Sequence, residues 1–402
     1  MSEPKKLTRI IDKLVQVGPK YLDQTLRKYA TENTEYRLYT DTANNTYAVF
    51  SYFSSGTFVT EKDRTVDVLM VGGGGGSTIG NVSGGSGGGE VISIRGATLT
   101  PDSYVIEVGA GGAGGTNTSN TFPASATANT ARGSVGNSST FRDSAASKVI
   151  TVLGGGAGGH RNEDVYPSDG GCGGGAGGAD LDTSGQIQNQ NNSYAAGGAN
   201  TSHSSVTSLV SNSALFFSGT VERFGNNGGN SDAFVNTYNN GDPATYHGGG
   251  GGGAGQTGIA STDNEGGNGA DGVNLAWVDE VFQNIYKVNS KLYWSAGGGG
   301  AATQEKEPGD GGQGGGGGGA AHKQAANTAM QTFTEGKGGL RGWNNGYDSF
   351  ELLGGAGAKN TGSGAGGSHH VPTTVDSRIY RDLTQGNHGG SGFVMLRVLL
   401  DY

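Results

Sequence analysis

The residues of this chain best suited to contact chemistry are aromatic rings set among amides and carboxylates. Trp343-Asn344-Asn345-Gly346-Tyr347 is one such group, Tyr238 and Tyr246 flank a second, and Trp277 and Trp294 bracket a third. Phe216-Phe217 with Phe224 form a fourth. Rings beside Asn, Asp and Gln suit sugar faces or protein surfaces, because they offer large contact area at small entropic cost. The competing use is packing. Val278, Val281, Phe282 and Ile285 fall at helical spacing, which favours a satellite core over display for Val273 to Trp294. For Trp343 and Tyr347 the two uses stay open.

Covalent and metal chemistry have less to work with. His369-His370, with His388 and Asp376 nearby, is a poor metal set, because adjacent histidines point to different sides of most backbones. Asp279-Glu280 and Glu305 with Glu307 are the closest approach to the paired carboxylates of glycan cleavage, and they read as solvated loop charges. Cys172 is the single cysteine, so neither a disulfide framework nor a cysteine zinc site is expected. It sits in a glycine run and reads as a small buried residue. No catalytic residue and no cofactor is predicted.

Whatever positions these side chains is built largely from glycine. The chain has 402 residues, 82 of them glycine and only 8 proline, about three times the usual glycine share of ~7%. Hydrophobic residues make up 33%, too few for a conventional core along the whole length. Val66-Asp67-Val68-Leu69-Met70-Val71 runs into Gly72 to Gly76, the first of about a dozen glycine runs that alternate with polar loops to Gly389–Gly392. A strand ending in glycines can open a dinucleotide site, but only if a helix follows. Here more glycines follow, each costing a helix about 1 kcal/mol relative to Ala.

Many short glycine runs in one body predict a specific solution. A left-handed threefold helix of the polyproline type has no internal hydrogen bonds, so its N–H and C=O groups must find lateral partners. Without Cβ atoms, such helices approach closely enough to bond to one another, giving a polyglycine-II lattice whose core is backbone. Gly72, Gly74, Gly251 and Gly315 are representative scaffold positions. Around the runs, strands are expected at 36–40, 47–53, 56–60, 66–71, 91–94, 104–108, 148–153 and 393–400. The fold class is therefore mainly β and irregular.

Three segments are expected. Residues 1–30 read as helix, with Leu7, Ile10, Ile11 and Leu14, then Leu22 and Leu26, forming an apolar stripe broken at Gly18-Pro19. That stripe packs on its own domain or serves as an anchor or oligomerisation segment. Residues 31–71 form a β-rich neck, and 72–402 the glycine-rich sandwich with display loops. The net charge of −9 argues against a nucleic-acid partner. No run of ~20 apolar residues predicts membrane insertion. The opening Met1-Ser2-Glu3-Pro4-Lys5-Lys6 leads into an amphipathic segment, so synthesis in the cytosol without a secretory leader is expected.

Four stretches in order resemble the glycine-rich domain of bacteriophage tail-fibre and adhesin proteins. They are Gly56–Val59 with Val66–Gly76; Gly84–Glu90 with Leu99–Gly112; Gly136–Phe141 with Gly154–Gly159; and Gly389–Arg397. The resemblance implies a polyglycine-II sandwich like that of T-even-type distal adhesins, with variable loops at one end that recognise the host surface. A related domain occurs in animal receptor tyrosine kinases, whose paired cysteines and kinase segments this chain lacks. The N-terminal helix and the strands at 35–53 do not match the adhesin attachment domain. The expected function is thus non-catalytic host recognition on a virion surface. Residues 1–30 would contact other virion proteins or a second copy of the chain. A structural virion component and a glycan depolymerase are the alternatives.

Overall fold

The computed structural model describes residues 34–400 apart from 80–81, 117–131, 148, 160–166, 179–218, 232–246, 263, 287, 303–305, 324–331, 350–352 and 369–385. The helix expected over residues 1–30, with Leu7, Ile10, Ile11, Leu14, Leu22 and Leu26, lies outside the described residues. The class is as expected: strands and irregular backbone, with a single α-helix among the described residues.

Two sheets form one end of the molecule. The larger contains β1 (Thr34–Thr40), β2 (Thr46–Tyr52), β4 (Arg64–Val71), β5 (Val91–Leu99), β9 (Thr220–Phe224) and β14 (Phe393–Leu399). Its order is β1-β2-β14-β4-β5-β9, and every pairing is antiparallel. The smaller contains β3 (Gly56–Thr60), β6 (Asp102–Glu107), β7 (Ser139–Arg142) and β8 (Val149–Val152), in the order β3-β6-β7-β8; β10 (Val273–Asn274) pairs with β11 (Tyr293–Trp294), and β12 (Ala320–Lys323) with β13 (Thr332–Glu335). Alternation along the strands sets the two faces. Phe50, Val68, Ile92 and Leu396 of the larger sheet meet Phe58, Ile106, Phe141 and Val152 of the smaller in a dry core.

The opposite face of the larger sheet carries Val49, Leu69, Val91, Phe393 and Met395. It is covered by α1 (Ala276–Tyr286), which brings Trp277, Val278, Val281 and Phe282 against the sheet. Asp279 in the first turn of α1 complements the helix dipole. Its carboxylate also accepts bonds from the Asn274 side-chain amide at 2.8 Å and the Leu292 N–H at 2.9 Å, fixing both approaches to the helix. β14 sits between β2 and β4, so the strands of the expected neck share a sheet with the last residues of the chain. Residue 71 is therefore a change of backbone type within one body, not a division between two.

Above the sheets the chain leaves regular secondary structure and bonds only sideways. The N–H groups of Gly72 and Gly75 donate to Glu90 and Gly87, those of Gly73 and Gly76 to Asn137 and Ser134, and those of Gly74 and Ser77 to Gly390 and Asn387. Partners recur every third residue, which is the signature of a threefold helix with its hydrogen bonds pointing outward. The run from Ser83 to Glu90 shows the full arrangement. It donates to the runs 153–159, 249–252 and 362–368, and it accepts from those at 72–75, 172–178 and 298–301. Six neighbours around one run make hexagonal packing, and backbone supplies the core that side chains do not.

A side chain cannot enter this packing. A Cβ built on Gly72 would overlap the Leu153 carbonyl, one on Gly74 that of Ser363, and one on Gly251 that of Ser86. Gly315 is required differently. It turns the chain at φ +103°, with its would-be Cβ against the Ala358 methyl. Cys172 is fully buried in the lattice, and burial pushes its thiol up to about 12.

Candidate functional site

Among the described residues, the directions of the runs distinguish two ends. At the sheet end lie the strands of the two larger sheets, α1, and the tight turns near residues 171, 255, 314, 341–346 and 360, each held to a run close to where it meets the sheets. Thus Gly171 donates to Gly154, Ala254 to Ser295, Gly314 to Leu340, and Tyr293 to Arg341. The far end is marked by a second set of bonds: Gly115 to Ser77, Gly84 to Gly159, Ser83 to Ser368, Gly178 to Val82 and Gly248 to Ala301. The described residues that flank 117–131, 160–166, 232–246, 303–305 and 369–385 all belong to this far set.

The predicted contact residues divide accordingly. Tyr238 and Tyr246 lie outside the described residues, between Ser231 and His247 in sequence. His369, His370, Asp376, Glu305, Phe216 and Phe217 are outside them too. Trp277 and Trp294 are core residues, at 7% and 0% exposure, so neither presents surface to a partner. Trp294 stacks on Phe393 at 5.0 Å and meets Phe282 at 5.6 Å, while the Trp277 indole N–H donates to Ser93 Oγ at 3.1 Å. The helical spacing of Val278, Val281 and Phe282 had pointed to this packing.

Trp343 is half-buried at the sheet end. Its ring closes on Tyr286 at 4.8 Å, Phe282 at 5.1 Å and Phe53 at 6.3 Å, so it pins the 341–346 turn to α1 and the sheet. The Tyr286 hydroxyl donates to Glu35 at 2.9 Å, and burial pushes its pKa up to about 12. Tyr347, four residues on, is 61% exposed on a rigid backbone, with its N–H bonded to Ala356 and its carbonyl to Gly318. Leu340 is equally exposed. Of the candidates that are described, Tyr347 alone is displayed, and it is not at the far end.

Charge is concentrated elsewhere. Arg397 of β14 lies beside Asp67 of β4, its register partner. Nε and a terminal nitrogen reach Asp67 Oδ2 at 2.8 and 2.6 Å, and Asp67 Oδ1 accepts the Gly96 N–H at 2.7 Å. The guanidinium is held between two rings, 4.6 Å from the Tyr47 centroid and 5.1 Å from that of Trp277. Both side chains are nearly buried. Sequence reasoning missed this group; the signal was Arg397 within the apolar strand Phe393–Leu400 and Asp67 within Val66–Val71. Among the described residues no group of three or more His, Cys, Asp or Glu could hold a metal ion, and no helix is long and apolar enough to cross a membrane.

Comparison with curated protein sequences gives no match. The profile of a glycine-rich domain family matches residues 53–278, more than half of the 402-residue chain. That span starts just before β3, takes in both sheets except for β1, β2 and β14, and ends inside α1. On this match the chain belongs to the glycine-rich domain family.

Proposed function

We propose that this chain is a virion fibre or adhesin protein that recognises a host surface without catalysis, a glycan or an outer-membrane protein being the receptor class. One observation carries the reading: a scaffold made rigid by backbone packing gathers the residues flanking five polar segments at the end away from the sheets. Rigid elements that present variable connections at one end are the usual design of a recognition protein. The resemblance to phage adhesins supports the same reading. Specificity then belongs to the segments whose flanking residues lie at that end, Tyr238 and Tyr246 among their residues. Trp343 belongs to the scaffold.

The test is competition for adsorption. Purified protein should block phage adsorption to host cells, and replacing 232–246 by a Gly/Ser linker should abolish the block while leaving the melting temperature unchanged. A protein that folds and never competes is a structural virion component, and the proposal fails. Release of reducing ends from host polysaccharide would overturn the non-catalytic part. For attachment, deletion of 1–30 should release the protein from particles; retention would refute an anchor there.

A further inference from the structure

The helix side of the larger sheet is not fully covered. Below α1, away from the lattice, a cavity of about 450 Å3 crosses the sheet from Tyr47 on β2 to Glu222 on β9. Its size is in the range of small-molecule sites. A bulge opens it: the β4–β5 register shifts between Val66 and Val68, and Gly96, at φ +69°, has nothing within 4 Å of where a Cβ would stand.

The walls are charged yet neutral in sum. The Asp67–Arg397 pair forms the floor, with the carboxylate already satisfied by the guanidinium and the Gly96 N–H. Arg95, Glu222, Thr65 and Thr220 stand exposed at the rim. Two guanidinium groups face two carboxylates, so a ligand with one net charge gains attraction from one pair member and repulsion from the other. A neutral polyhydroxyl compound meets no such opposition. Each sugar hydroxyl both donates and accepts, so it can give a bond to a carboxylate and take one from a guanidinium.

We infer that this trough binds a neutral saccharide of one or two pyranose rings. The site is at the sheet end, so it stands apart from the far-end recognition proposed above, and either can fail without the other. Tyr47 and the Trp277 indole grip the floor arginine, which keeps the trough formed when it is empty.

The probes are glucose, galactose, N-acetylglucosamine, maltose and lactose, added to the full chain at millimolar concentration and read by saturation-transfer NMR. Acetate and spermidine serve as charged controls. At least one saccharide should bind saturably, with Kd of order 1 mM. Glu222→Ala, at an exposed rim position, should weaken that binding about tenfold, the worth of a bond to a charged group, with no change in melting temperature. Thr65→Phe, which fills the trough, should abolish it. Binding of no saccharide overturns the inference, as does binding of acetate or spermidine alone. Affinity unchanged in Glu222→Ala overturns it too, even if Thr65→Phe does not fold.

Discussion

Gly251→Ala tests the lattice most sharply, because it adds one carbon and changes nothing else. The new Cβ would fall on the Ser86 carbonyl, so the runs containing Gly251 and Ser86 must separate. They are joined on either side by Gly85 N–H to the Gly249 carbonyl at 2.9 Å and Gly88 N–H to the Gly252 carbonyl at 3.0 Å. Separation strips both bonds and leaves four buried polar groups unpaired. At about 1–3 kcal/mol each, the cost is ~4–12 kcal/mol. That is comparable with the whole stability of a typical domain, about 5–15 kcal/mol. The control is Gly96→Ala, where the Cβ meets open space and only the positive φ is penalised, at about 1–2 kcal/mol. Both proteins are purified and melted by circular dichroism. Gly96→Ala should fold and melt slightly early; Gly251→Ala should be unfolded or melt far below it. Equal midpoints would refute a backbone-packed core.

Other perturbations separate core from surface and fix the charge states. Trp294→Ala should cost about 3–5 kcal/mol in urea unfolding, whereas Tyr347→Ala should stay within about 0.5 kcal/mol. Arg397→Met should cost about 3–5 kcal/mol, because Asp67 stays buried without its partner, and Asp67→Asn added to it should restore much of that loss in the same assay. Cys172 should resist a thiol-reactive disulfide at pH 8 until denaturant is added. Its folded pKa of about 12 lies above the ordinary value of 9.0, so the folded state holds the proton longer. Its contribution to stability is complete below pH 9 and is lost between pH 9 and 12. Stability of parent minus Cys172→Ser across that window should decline with pH; a flat difference would refute the buried thiol.

Much of the fold was legible because strands and lattice leave different marks. Val66–Val71 announces a strand apolar at every position but Asp67, and the glycines after it cannot be helix. The threefold character follows from composition, since nothing else satisfies so many consecutive glycine amides. Short polar strands were less visible. Thr220–Phe224, Ala320–Lys323 and Thr332–Glu335 lack an apolar alternation; the first pairs with a strand over 100 residues away, and the other two pair with each other. The contact residues were least legible. Trp277, Trp294 and Trp343 have the composition of a binding loop, but ring type does not encode which end of a lattice a turn occupies. Arg397 and Asp67 are 330 residues apart, and only the sheet order brings them together.

The position of β14 has a consequence for how the protein is made. Ribosomes deliver the chain from its first residue, and the strand that joins β2 to β4 comes from residues 393–399. Until that part of the chain emerges, two inner strand edges have no partner, and the run from Gly72 to Ser77 lacks its bonds to Gly390 and Asn387. The smaller sheet needs nothing beyond residue 152, but the six-stranded sheet stays in two pieces, β1-β2 and β4-β5-β9. Completion of this sheet therefore waits for residues 393–399, and a chain that stops before them lacks the strand that joins β2 to β4. β14 is the keystone of the sheet: strands made more than 300 residues earlier are locked together only when it arrives.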